Sequence, residues 1–180
     1  INDWLLLRPI FKDGRLIAYA AMFGHMTDVG GKVPGSLPTD AREIFEEGIR
    51  VPPLKIFKND ELQSDVLNLI LHNSRMPTWN RSDFNALVAA MRTAEKRVIE
   101  MAERFGDDEY YSALDELLAR NKRAMARLIK DTVPTKKQHF EDYICDDGLG
   151  MGPYRIKCSM WRDKDKVIFD FDGTDPQSIS

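Results

Sequence analysis

The stretch that decides the fold is WLLLRPIFKDGRLIAYAAMFG, residues 4–24. Two apolar runs flank Asp13-Gly14, and Asp-Gly between such runs is a strong hairpin signal because both turn positions need positive φ. With Asp13 and Gly14 in the turn, Lys12 pairs with Arg15, and counting outward leads Asp3 to Gly24, beside His25. A slip of one residue would move every side chain to the other face, so the expectation is one of proximity, not orientation. Directly downstream lies MFGHMTDVGGKVPGSLPTD, residues 22–40. Glycine and proline in such density fix an irregular backbone path, a common way to aim a few polar side chains at one point.

Three zones follow one another. Residues 1–58 hold the hairpin, the loop, a short helix expected in TDAREIFEEG (39–48) and a strand expected in RVPPLKIF (50–57). Residues 59–132 read as helical. ELQSDVLNLILHN (61–73) sets Leu62, Val66, Leu69 and Ile70 on one stripe. RSDFNALVAAMRTAEKRVIEMAERFG (81–106) follows a Pro-Thr-Trp-Asn break, with Ser82 or Asp83 as cap, Gly106 as stop and an apolar face running from Phe84 to Met101. DDEYYSALDELLARNKRAMARLIKD (107–131) repeats the pattern with Leu114, Leu117, Leu118, Met125 and Leu128, so two long antiparallel helices joined at Gly106 are expected. Residues 133–180 return to strands in HFEDYIC, GPYRIKCSMW and KVIFDFDG. The class is α+β.

Composition narrows the function. Of 180 residues, 43% are hydrophobic and 31% charged, with a net charge of -3, so no basic field for nucleic acid exists. No apolar run reaches the roughly 18 to 20 residues of a membrane helix and no leader precedes the first run, so a cytoplasmic location is expected. Cys145 and Cys158 show no CxxC spacing and are expected as free thiols. The chain opens INDWLLLRPIF without an initiator Met and ends FDFDGTDPQSIS, so it is expected to be a piece of something larger, with edges that belong to a bigger body.

Few residues carry chemistry. His25 and Asp28 in HMTD, with Asp3 across the hairpin, give one imidazole and two carboxylates, a set suited to Mn²⁺, Fe²⁺ or Zn²⁺. The plainer alternative is a loop histidine hydrogen-bonded to a neighbouring carboxylate. Glu46 or Glu47 in FEEG offers a general base, or else a solvated helix face. Arg75 and Arg92 could grip an anion or pair with acidic neighbours, while His72 at a helix end and His139 in a polar strand read as structural. There is no phosphate loop, dinucleotide fingerprint or GxSxG.

GHMTDVGGKVPGSLP, EEGIRVPPLKIF and NSRMPTWNRSDFNALVAAMRTAEKR, continued through GPYRIKC to FDFDGTDPQ, together resemble the hydantoinase B family. That family includes the second half of 5-oxoprolinase, N-methylhydantoinase and the alpha subunits of acetone and acetophenone carboxylases. The resemblance implies a metal site of an HxxD motif before the hairpin and a histidine in the loop after it. Asp3 matches the aspartate and His25 the later histidine, while the first histidine would fall immediately before Ile1. Asp28 is then a candidate orienter of His25 or extra ligand, Gly30, Gly31 and Pro34 hold the loop, and Glu47 is a candidate for acid/base work. The resemblance further implies a hydantoinase A-like partner that binds ATP and Mg²⁺ and phosphorylates a carbonyl oxygen or bicarbonate. The substrate would be a small ketone or a cyclic amide, and GHMTDVGG and MPTWNRSD incline to the carboxylase side. The rival reading is a scaffold subunit that only docks its partners.

Overall fold

The computed structural model describes residues 3–178. The chain forms two compact units that meet between Arg104 and Phe105, a boundary inside the helical zone. Each unit is taken separately.

The first unit begins with the hairpin, β1 (Trp4–Lys12) and β2 (Arg15–Gly24). Asp13 and Gly14 turn with φ of 51° and 75°, the left-handed pair that matches the twist of the strands. Near the turn the register is the expected one, with Lys12 opposite Arg15 and Phe11 opposite Leu16. Ile10 then faces Ala18, which leaves Ile17 as the extra residue of a β-bulge. The remaining ladder is shifted by one and ends with Trp4, not Asp3, opposite Gly24. This corrects the register counted from the turn.

Alternation along β1 turns Trp4, Leu6 and Ile10 inward, and Trp4 and Leu6 pack on a cluster of Leu67, Leu71 and Phe84. Ile56, Phe57, Leu62 and Val88 complete that cluster. Arg8 fastens the strand further, with Nη1 2.9 Å from Asp60 and Nη2 2.8 Å from Glu95. Leu5, Leu7 and Phe23 cover the other, exposed face.

Several elements differ from expectation. TDAREIFEEG forms only a single 3-10 turn, Ile44–Glu46, which opens with a capping box between Glu43 and Glu46 and is followed by Gly48 at φ +134°, outside the helical region. RVPPLKIF is not a strand over its length: Pro52 and Pro53 lack ladder donors, and only β3 (Phe57–Lys58) pairs, with β4 (Glu61–Leu62). α1 (Ser64–His72) buries Leu67, Ile70 and Leu71, while Leu69 is 66% exposed, so its inward stripe lies off the one counted from Leu62. α2 (Pro77–Phe105) starts earlier than expected. Pro77, read as a break, is its first residue, where a missing N–H costs nothing and φ is preset.

The second unit carries α3 (Asp107–Thr132) and an antiparallel sheet in the order β5 (Gln138–Ile144), β6 (Tyr154–Asp163), β7 (Lys166–Asp170). The strands match the sequence pattern. The leucine stripe of α3 does not form a core, for Leu114, Leu117, Leu118, Met125 and Leu128 are all exposed and only Tyr110 is buried. Cys145 and Cys158 are free. No helix among the described residues is long and apolar enough to cross a membrane.

Candidate functional site

The bulge decides what meets at the open end of the hairpin. Carrying the shifted register one step past Trp4 and Gly24 sets Asp3 opposite His25, and His25 Nδ1 is in hydrogen-bond contact with Asp3 Oδ1. The expected proximity is thus a direct contact. The imidazole is 71% exposed, so it has room for a further partner.

Behind His25 the Gly/Pro loop closes on Asp28, whose side chain is 1% exposed. Its carboxylate accepts from the backbone N–H groups of Gly30 (3.0 Å), Gly35 (3.0 Å) and Arg75 (2.9 Å), and from the Arg75 guanidinium (2.9 Å). Burial alone would raise this carboxyl; the Arg75 N–H, then those of Gly30 and Gly35 and the guanidinium, outweigh it and lower it to about 2. Asp28 is a permanent anion at neutral pH. Among the described residues its bonds go to the loop and to Arg75 rather than to His25.

The same guanidinium donates to the carbonyls of Gly31 (2.6 Å) and Val33 (3.1 Å). The Val29 N–H donates to Ser36 Oγ (2.8 Å), whose hydroxyl donates to the Gly30 carbonyl (2.6 Å). From beneath, fully buried Asn80 donates through Nδ2 to the Asp28 carbonyl (2.6 Å). Gly31, at φ +82°, lies against the 44–48 turn so closely that a Cβ would overlap the Glu46 carbonyl oxygen and come within 2.8 Å of Gly48 N. Lys32 and Val29 complete the junction through Lys32 N–H to Glu46 O (2.9 Å) and Ile49 N–H to Val29 O (2.8 Å).

The remaining candidates fall into place around this frame. Glu46 pairs with Lys32 at 2.9 Å, and Lys32 first, then the Arg42 N–H, lower its carboxyl to about 2. Half-buried Glu47 caps the turn through its backbone N–H to Ile44. Arg92 stacks over Phe57, His72 ends α1, and His139 Nδ1 lies 3.0 Å from Ser159 Oγ. Sequence reasoning passed over Ser36 and Asn80. For Asn80 the available signal was its place in PTWN, a polar residue at the start of a long amphipathic helix; its burial shows only in the structure.

Among the described residues no group of three or more His, Cys, Asp or Glu side chains converges as metal donors. Asp3 and His25 offer one oxygen and one nitrogen, donor types that Mn²⁺, Fe²⁺ and Zn²⁺ accept, so the pair fits part of a coordination shell. Asp3 also lines a cleft of about 1700 Å³ walled by Trp4, Leu6, Phe57, Phe84 and Met91.

Comparison with known proteins bears on the fold and the family. Caprolactamase subunit beta of Pseudomonas jessenii is 35% identical over 156 residues, which cover 87% of this chain and 27% of that protein. The acetophenone carboxylase delta subunit of Aromatoleum aromaticum is 30% identical over 99% of this chain and 26% of its own length. The crystal structure of ATP-dependent caprolactamase from Pseudomonas jessenii matches with a TM-score of 0.87 at 31% identity, over 97% of this chain and 30% of that one. The chain therefore spans between a quarter and a third of these relatives. The model of the family described as hydantoinase B/oxoprolinase matches residues 1–180, and the chain belongs to that family.

Proposed function

We propose that the chain is part of the catalytic subunit of an ATP-dependent enzyme that opens a small cyclic amide, with Asp3 and His25 as two ligands of one divalent metal, Mn²⁺, Fe²⁺ or Zn²⁺. The observation that carries this is their contact across the bulged hairpin, at the edge of a cleft. The likeness to caprolactamase subunit beta supports an amide substrate. In this reading ATP and Mg²⁺ sit on a hydantoinase A-like partner, which phosphorylates the substrate carbonyl oxygen, and the complex works in the cytoplasm.

A bound divalent metal supplies Lewis acidity where charge develops on oxygen. The protein's own residues do the rest. Asp3 brings a carboxylate and His25 an imidazole nitrogen. Asp28, fully engaged and held ionised, neither carries protons nor orients His25 directly; it anchors the loop from which His25 projects. Proton transfer then falls to Glu47, half-buried at the end of the 44–46 turn against that loop. The likeness to an acetophenone carboxylase subunit over 99% of the chain favours ketone carboxylation as the second reading, in which the same pair serves a carbonyl substrate.

The test is elemental analysis of the full-length parent beside Asp3→Ala and His25→Ala. Stoichiometric metal lost from both variants is the expected result. Metal absent from the wild type, or unchanged in the variants, would sink the reading and favour a scaffold that only docks its partner. Supplying ATP and the partner with a lactam, or with acetone and bicarbonate, then separates amide opening from carboxylation.

A further inference from the structure

We propose that Arg75 is a positioning residue for the Asp3–His25 pair, acting through the Gly/Pro loop; the metal arm of this inference rests on the reading above. His25 is flanked on one side by Gly24, fixed in the ladder opposite Trp4. On the other side only Met26 and Thr27 separate it from Asp28, and Met26 is buried. The path of the chain through His25 is therefore set by two clamps, the ladder at Gly24 and the cluster at Asp28.

Arg75 is the hub of the second clamp. It stands in the link between α1 and α2, and its backbone N–H and guanidinium both reach the Asp28 carboxylate. The guanidinium then fans out to the carbonyls of Gly31 and Val33. Asp28 without the Arg75 side chain would keep the backbone N–H groups of Gly30, Gly35 and position 75, so the anion would remain largely satisfied. The carbonyls of Gly31 and Val33 would lose this charged donor. The loss thus falls on the path of the loop more than on the core. A planar fork suits this arrangement, because its donors point in fixed and different directions; a lysine ammonium is a single centre on a flexible stem and does not span the same acceptors. The guanidinium is 42% exposed, so its replacement opens no cavity in the core.

The experiment uses the full-length parent with Arg75→Lys and Arg75→Ala, and three readouts: the thermal midpoint, the nitrogen resonances of the His25 ring in metal-free protein, and Mn²⁺ binding by calorimetry. Arg75→Lys is expected to fold cooperatively, to shift the His25 ring resonances and to bind Mn²⁺ up to about 10-fold more weakly, the lower end of what loss of a direct partner of a metal ligand costs, because Arg75 acts through the loop. Arg75→Ala should move both readouts further. A lowered midpoint with unchanged resonances and unchanged Mn²⁺ affinity would reduce Arg75 to a fold-stabilising residue and overturn the proposal, as would a failure of both variants to fold. A wild-type parent that binds no Mn²⁺ would defeat the metal reading alone, because the ring resonances still report whether Arg75 places His25.

Discussion

The Gly/Pro loop and the open end of the hairpin adjoin in sequence and are built in opposite ways. In the loop, Asp28, Ser36, Arg75 and Asn80 each bind backbone groups of the segment, and Gly31 presses against the next turn with no space for a side chain. At the hairpin end, Asp3 and His25 hold each other by one contact between exposed side chains. The difference teaches that anchoring and exposure are separated here: the loop supplies a densely bonded base, and the pair on it stays open to a further partner. Pre-organised surroundings with an accessible donor set are what a metal or substrate site needs.

That contrast can be broken most sharply at Gly31. Gly31→Ala forces a Cβ onto the Glu46 carbonyl at positive φ, and is expected to cost about 3 kcal/mol or to prevent folding; denaturant unfolding of the parent checks it, and a loss below about 1 kcal/mol would mean the loop yields easily. Asp28→Asn comes next, at about 2 kcal/mol near neutral pH, since the carboxyl falls from 3.8 to about 2 on folding. The sign follows from the lowered value: this stabilisation is complete above pH 3.8 and fades as the pH falls towards about 2. Melting the wild type and Asp28→Asn across that window should show the two converging in acid; parallel curves would argue against it. His25→Ala should be the mildest, changing stability by no more than about 0.5 kcal/mol, as expected of an exposed side chain. If its melting point instead drops as far as that of Asp28→Asn, the division between densely bonded base and open pair fails.

Much of this was legible in the sequence where local chemistry dominates. Asp13-Gly14 announced the hairpin, the apolar periodicities announced the long helices either side of Gly106, and the C-terminal strands followed from alternation. The family, too, was legible in the order of its motifs. What escaped depends on contacts far along the chain. Leu16, Ile17 and Ala18 are all apolar, so nothing in the pattern marks Ile17 as the residue without a partner. Pro77 reads equally well as a break or as a first helical residue, and the structure has the second. Arg75 finds its acceptors 42 to 47 residues upstream, beyond the reach of any local rule. The stripe of α3 shows the converse: a clear period from Leu114 to Leu128 tells that a helix forms without telling what covers it.

The bulge at Ile17 makes the hairpin a counting device. From the turn outward, β2 takes one more step than β1 to reach the same rung, and that odd step is what brings a histidine level with an aspartate. The information for the encounter is therefore stored in segment length as much as in residue identity. Many side chains could serve at position 17, but pairing that residue in a regular ladder without the bulge would bring Gly24 level with Asp3 and put His25 one rung beyond it, out of step by a single residue.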